Sequence, residues 1–247
     1  MRALLLAAGL GTRLQPITNT TPKCLVDING RPLLDYWIEL LSEAGIDDIL
    51  INLHYLPEQV VEYVSNCTHP ARLATALEPE LLCTGGTLLR NREYFRQEPM
   101  MMIHADNLSL FDVRAFVERF RARDRQIEIT MMTFSADAPE TCGIVELDGQ
   151  GTVRAFFEKV KNPPGNLANA AVYILAPSVI EFIASLGKPV IDFSTEVLPH
   201  YLGRINTYHN DVYHRDIGTM ESLRLAQIEY PVAAARFCSA QCGDRPA

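Results

Sequence analysis

The residues with the clearest chemical capacity stand at five places in the chain. The first is Gly9-Leu10-Gly11-Thr12-Arg13-Leu14, followed by Pro22-Lys23. Glycines let a backbone approach a ligand closely, and exposed amides suit phosphate oxygens. Arg13 offers a fixed fork of donors and Lys23 a mobile point charge. Together they suit a triphosphate, with the charge on departing pyrophosphate held by both cations. Neither common phosphate loop fits. A dinucleotide fingerprint needs a third glycine where Leu14 stands, and Gly187-Lys188 runs into Pro189 where a Walker loop needs Ser or Thr. Taken alone, the segment also fits a tight glycine turn carrying a surface arginine.

The second place is Asp106, directly after Met100-Met101-Met102-Ile103-His104-Ala105. An Asp at the carboxyl end of a buried parallel strand lies where α/β sheets bind ligands. Its hard oxygens suit Mg²⁺ on a phosphate. A turn Asp helped by Asn107 is the plainer alternative. The third place is Asp216-Ile217-Gly218-Thr219, whose carboxylate can complete that metal site or, more simply, precede a helix capped by Thr219. The fourth is Glu78-Pro79-Glu80-Leu81-Leu82-Cys83-Thr84-Gly85-Gly86-Thr87, where backbone groups can reach a base edge unobstructed. In isolation it fits a Gly-Gly loop with Thr84 as a cap. The fifth is Phe156-Phe157-Glu158-Lys159 with Asn169-Ala170-Ala171-Val172-Tyr173 behind it. Lys159 can pair with a phosphate, and Glu158 and Asn169 can hydrogen-bond sugar hydroxyls. By itself Glu158-Lys159 fits a solvated ion pair at a strand end.

These places need elements to hold them. Apolar runs at residues 3–8, 49–53, 73–77 and 100–104 predict strands. Helical spacing predicts helices at 33–44, 58–64, 86–95 and 112–123. This alternation implies a mostly parallel sheet covered by helices. The second half changes character, with strands expected at 127–134, 144–147, 153–157 and 170–175. Helices are expected there at 181–186, 195–202 and 220–229. The alanine-rich segment 232–247 is expected to leave the fold as a flexible tail.

Composition narrows the partners. The chain has 247 residues, enough for one large α/β domain or two small ones. A formal net charge of -8 argues against nucleic acid, whose phosphates call for basic surfaces. A small anionic substrate needs only a few local cations. Six scattered cysteines show no disulfide framework, which fits reduced thiols in a cytoplasmic enzyme. Cys238 and Cys242 are four apart, a weak zinc half-site without a second pair. The apolar start leads into Gly-Leu-Gly-Thr-Arg and not a cleavage site, and no stretch is long enough to span a membrane.

The order of these motifs resembles the sugar-1-phosphate nucleotidyltransferase family in its short bacterial form. The resemblance is carried by Leu-Ala-Ala-Gly-Leu-Gly-Thr-Arg-Leu-Gln-Pro-Ile-Thr, Thr-Pro-Lys-Cys-Leu-Val, Leu-Cys-Thr-Gly-Gly, His-Ala-Asp-Asn, Phe-Glu-Lys-Val, Asn-Ala-Ala-Val-Tyr-Ile-Leu, Ser-Thr-Glu-Val-Leu-Pro and Asp-Ile-Gly-Thr. It implies a Rossmann-like mixed sheet, mostly parallel, in one compact domain at 1–231, with a nucleotide half (1–125) and a sugar-phosphate half (126–231). The family's appended β-helix is not expected. The resemblance further implies nucleotide contacts at Leu6, Ala8, Gly9, Gly11, Thr12, Arg13, Lys23, Glu78, Thr84, Gly85 and Gly86. It implies sugar-phosphate contacts at Asp106, Asn107, Gly143, Glu158, Lys159 and Asn169, and Mg²⁺ on Asp106 and Asp216. Arg13, Lys23, Asp106 and Lys159 would carry the chemistry.

The implied substrates are a nucleoside triphosphate and a sugar 1-phosphate. The wording is most similar to mannose- and heptose-1-phosphate guanylyltransferases, which favours GTP. A UTP-dependent uridylyltransferase on a hexose or amino-sugar phosphate shares the Thr-Gly-Gly loop, and a silent nucleotide-sugar sensor is a third expectation. Family members commonly form dimers or tetramers, so a homo-oligomer is also expected. Three departures bear on these readings: Cys83 stands where glycine is usual, Val160 where proline is usual, and His214 where an aromatic is usual.

Overall fold

The computed structural model describes residues 1–243, with side-chain surroundings described through Ser239. In the first half, β1 (Arg2–Leu6) leads through the glycine loop to a short hairpin, β2 (Asp27–Ile28) and β3 (Arg31–Pro32). Then come α1 (Leu33–Glu43), β4 (Asp48–Leu53), α2 (Pro57–Asn66), β5 (Arg72–Leu77), α3 (Cys83–Arg90), β6 (Met100–His104), β7 (Asn107–Leu110) and α4 (Val113–Arg121). The second half holds β8 (Ile129–Ser135), β9 (Gly143–Leu147), β10 (Val153–Glu158), β11 (Leu167–Leu175), α5 (Pro177–Ser185), β12 (Ile205–His209), β13 (Tyr213–Asp216) and α6 (Met220–Gly243).

Nine strands form one sheet in the order β10-β9-β11-β6-β1-β4-β5, with β8 on β11 and β12 on β8. The first-half strands pair in parallel. β11 runs antiparallel to β6 and to β8, so it joins the halves into a single mixed sheet. Both faces are covered, which is why the central strands are continuous apolar runs and not alternating ones. On one face Leu5, Ile51 and Ile103 pack with Trp37 of α1 and Phe116 of α4. On the other, Leu4, Leu50 and Met102 pack with Leu88 of α3 and Val179 of α5.

The register sets up the site. Leu6 of β1 lies level with Asn52 of β4 and His104 of β6. These three lie at the carboxyl edge, Leu6 and His104 as the last residues of β1 and β6 and Asn52 one residue before the end of β4, on the same face as Leu4, Leu50 and Met102, because side chains alternate with period two.

Several expected boundaries move for identifiable reasons. The helix expected at 86–95 starts at Cys83 and stops at Arg90; Asn91 then bonds back to the Thr87 carbonyl at 2.9 Å, and a separate 3₁₀ turn follows. The helix expected at 181–186 starts earlier, at Pro177, a residue suited to a first helical turn. The stretch expected as a helix at 195–202 is a wide π turn, Phe193–Val197, and a 3₁₀ turn, Leu198–Tyr201. Pro199 lacks the amide that a regular helix would use. Residues 232–243, expected as a tail, are helical: α6 continues through Pro231 to Gly243. The alanines there have the highest helix propensity of any residue. Residues 244–247, and the side chain of Cys242 from the candidate zinc half-site, lie outside the described residues.

Helix α3 is seated by its glycines. The Gly85 and Gly86 amides both donate to the Ile191 carbonyl, at 2.9 and 3.2 Å. A Cβ on Gly86 would stand 2.2 Å from the Pro189 carbonyl oxygen, so backbone would have to move. Gly86→Ala is therefore expected to lose about 1–3 kcal/mol despite the better helix propensity of alanine. Urea unfolding would check it; a variant as stable as the parent would mean that α3 can shift freely.

Candidate active site

The charged centre is built from four side chains that are distant in sequence. The Lys23 ammonium lies 2.8 Å from Asp106 Oδ2 and 3.4 Å from Asp216 Oδ1. Arg13 Nη2 approaches the other Asp216 oxygen at 3.6 Å. Arg13, Asp106 and Asp216 are each positioned by an apolar neighbour. Leu14, Leu108 and Ile217, all fully buried, meet in a small cluster with Val26, Ile28, Leu33 and Tyr36. Leu14 follows Arg13, Ile217 follows Asp216, and Leu108 lies two residues beyond Asp106. Strands β7 and β13, which sequence periodicity did not mark, pair with Asp216 opposite Asn107. The Ile217 amide also donates to the Asp106 carbonyl at 3.1 Å. The cluster thus forces two carboxylates together.

Lys23 is the compensation. Its side chain is 7% exposed, whereas those of Asp106 and Asp216 are 41% and 52% exposed. Burial works to raise the Asp106 carboxyl, but Lys23 and His104 hold it below the ordinary carboxylate value. Gly218 makes room for the pair: a Cβ there would come within 2.5 Å of Asp216 Oδ2 and 2.8 Å of Arg13 Nη2.

Beside this centre a cavity of about 220 Å³ opens along the strand ends. Of the expected nucleotide contacts, Leu6, Ala8, Gly9, Lys23, Glu78 and Thr84 line it, together with Asp106. Gly11, Thr12 and Arg13 do not line it. Gly11 shapes the loop instead, with φ +64° and its carbonyl accepting from the Thr18 hydroxyl at 2.7 Å. Gly85 and Gly86 are also set back, since their amides are committed to Ile191. They seat α3 against the 189–191 segment. Asn107, expected at the sugar phosphate, is buried. Its side chain donates to the Ala170 carbonyl at 3.3 Å, and its own carbonyl accepts from the Trp37 indole at 2.7 Å.

Asn52 and His104 were not singled out by sequence. Asn52 Oδ1 accepts from the Ala7 amide at 2.7 Å, while its Nδ2 reaches Glu78 Oε1 at 3.3 Å and Thr87 Oγ1 at 3.4 Å. One side chain therefore ties the glycine loop, Glu78 and α3. Glu78 is 1% exposed, and its Oε2 is buried without a hydrogen-bond partner. His104 Nε2 is likewise buried without a partner. Burial holds this imidazole below its ordinary value, against the pull of Asp106, Asp192 and Glu158. The signal for both was available: each is a polar residue at or next to the end of an apolar run.

The second half contributes a separate group. Glu158 of β10 pairs with Gly143 of β9, where a Cβ would sit 2.8 Å from Glu158 Oε2. Lys159 has φ +49° and places Nζ 3.4 Å from Glu158 Oε1. Asn169 bonds the Tyr173 hydroxyl at 2.6 Å and the Ala171 amide at 3.0 Å, stabilising a break in the β11–β8 register.

The sequence model of the family described as "Nucleotidyl transferase" matches residues 2–231. The chain belongs to this family. Among curated relatives, mannose-1-phosphate guanylyltransferase 1 of Arabidopsis thaliana is 31% identical over 189 residues, covering 74% of this chain and 52% of the relative. Mannose-1-phosphate guanyltransferase of Saccharomyces cerevisiae is 30% identical over the same shares. The chain thus spans about half the length of these relatives. Among solved structures, one described as a glucose-1-phosphate thymidylyltransferase from Bacillus anthracis shares the fold, with TM-score 0.84 and 23% identity over 92% of this chain and 94% of that one. HddC from Yersinia pseudotuberculosis, solved with GMP-PN, has TM-score 0.79 and 25% identity over 93% of this chain and 99% of its own. In this member of the family, no described helix is long and apolar enough to cross a membrane.

Gly218→Ala tests the centre. The clash falls on the ends of flexible side chains, so the fold is expected to persist while Asp216 and Arg13 separate. Nucleotidyl transfer should fall by about 10–100-fold, as when a positioned electrostatic group is lost. A folded variant with full activity would remove the Arg13–Asp216 pair from the working site.

Proposed function

We propose that this chain transfers a nucleoside monophosphate from GTP to a sugar 1-phosphate, with mannose- or heptose-1-phosphate as acceptor, releasing pyrophosphate. The observation that carries the reading is the Lys23–Asp106–Asp216–Arg13 centre at the edge of a cavity that also holds Glu78. Both reactants are anions, so the protein's task is to neutralise and align them. A phosphate oxygen of the sugar 1-phosphate attacks the α-phosphorus in line, and the bond to pyrophosphate breaks. No general base is required, because that oxygen is already ionised at neutral pH. Arg13 and Lys23 stabilise the leaving pyrophosphate. Lys159 orients the acceptor phosphate, with Glu158 and the free capacity of Asn169 toward sugar hydroxyls.

Two carboxylates fit Mg²⁺, which binds through one or two carboxylates and completes its shell with water and substrate phosphates. Asp106 and Asp216 would hold it, and when bound it would supply positive charge to the reacting phosphates.

Glu78 supports guanine. An ionised carboxylate only accepts hydrogen bonds. Guanine presents two adjacent donors, N1–H and the N2 amino group, whereas uracil presents one donor between two acceptors. A buried carboxylate oxygen without a partner costs free energy that a two-donor base edge would recover. The names of the guanylyltransferase relatives and the GMP-PN complex of the neighbour point the same way.

Pyrophosphate release across four nucleoside triphosphates and a panel of hexose, heptose and amino-sugar 1-phosphates tests the reading. GTP with mannose- or heptose-1-phosphate is expected to react. Glu78→Gln should lower kcat/KM for GTP by about 10–100-fold, the range for one bidentate base contact. A preference for UTP in the parent would overturn the base assignment, and silence from folded protein that still binds nucleotide would overturn transfer itself.

A further inference from the structure

We infer that the Lys23 ammonium and a divalent cation are alternative occupants of the Asp106–Asp216 pair, so that Lys23 couples cation binding to nucleotide binding. The inference rests on the proposed function for the identity of the cation and of the anion that draws Lys23 away.

The geometry makes the two occupants exclusive. Lys23 Nζ is within 2.8 Å of one carboxylate and 3.4 Å of the other, so it fills the space between them. A dication bound to the same oxygens at about 2.0–2.1 Å would claim that space. Two positive ions in van der Waals contact repel strongly, and the low exposure of Lys23 leaves little water to screen them. The pair has little freedom to spread and admit both. The backbone beneath Asp216 is pinned by buried Ile217 and by its β13 pairing.

Lys23 has somewhere else to go. It also lines the nucleotide cavity, and its long stem can turn the ammonium toward phosphate oxygens. A triphosphate in the cavity therefore draws Lys23 off the carboxylates and frees them for the cation. Coupling of this kind is reciprocal: cation on the pair releases Lys23 to the nucleotide. The chain without nucleotide accordingly holds the cation weakly.

The test uses Mn²⁺ as probe, without nucleotide, with free ion followed by electron paramagnetic resonance in the full chain and in Lys23→Met and Lys23→Gln. Far-UV circular dichroism confirms folding, and the glutamine variant keeps a neutral hydrogen-bond donor should methionine fail to fold. Both variants are expected to bind Mn²⁺ about tenfold more tightly than the parent, and Asp216→Asn to abolish that gain. Equal binding in parent and variants, lost in Asp216→Asn, would overturn the competition while leaving the metal pair standing. Absence of Mn²⁺ binding in every protein would remove the metal pair itself, and the inference with it.

Discussion

Two carboxylates of like charge, Asp106 and Asp216, are held close enough to share one ammonium. Left alone they would repel, and the local structure would open. Two things prevent this. The apolar cluster of Leu14, Val26, Ile28, Leu108 and Ile217 fixes the backbone on either side. Lys23 and Arg13 then neutralise what the backbone has brought together. Packing supplies the approach and charge makes it tolerable. The residues that do chemistry are therefore each one or two positions from a residue buried for other reasons.

The second organising contact is smaller but reaches further. Asn52 joins the start of the glycine loop, the floor of the cavity at Glu78 and the first turns of α3. An amide side chain has two donors and an acceptor, so a single Asn can bind three elements that share no backbone pairing. Its depth in the fold makes those bonds count, because an unpaired amide there would carry a desolvation cost. Glu78 is held from both sides: its amide donates to Leu53, and its carbonyl meets the His54 ring at 2.8 Å. The side chain is thus presented in one position.

Strands β1, β4 and β6, the glycine loop, Lys23, Asp106 and Asp216 were legible in the sequence because each combines a strong pattern with a distinctive residue. Long apolar runs mark central strands, and a carboxylate immediately after one marks a ligand edge. Asn52 and His104 fell inside the strands expected at 49–53 and 100–104, where an apolar run by itself gives a polar member no role. Their importance comes from register, which brings them level with Leu6, and register is a property of three strands at once. β7 and β13 escaped for a similar reason: each is four residues long and stabilised by its partner. The Gly-Gly segment carries a packing role that its sequence does not announce. Glycines can serve a ligand or a neighbour equally well, and here the neighbour is the 189–191 backbone.

Cys83 shows how the cavity accommodates a departure from the family pattern. Glycine is expected at this position because the chain turns there with positive φ. Cys83 keeps that turn, at φ +59°, and so carries a backbone strain of order 1–3 kcal/mol. Keeping the turn preserves the start of α3 and the seating of Gly85 and Gly86 against Ile191. The added side chain is accommodated on the open side, where exposed Cys83 and Leu81 border the cavity. Glu78, deep and fixed by Asn52, is left undisturbed by this change at the entrance. On the proposed reading, base recognition at the floor and substitution at the rim are thereby separable. On that reading, a side chain at position 83 alters how a nucleotide enters without altering which hydrogen bonds its base must satisfy.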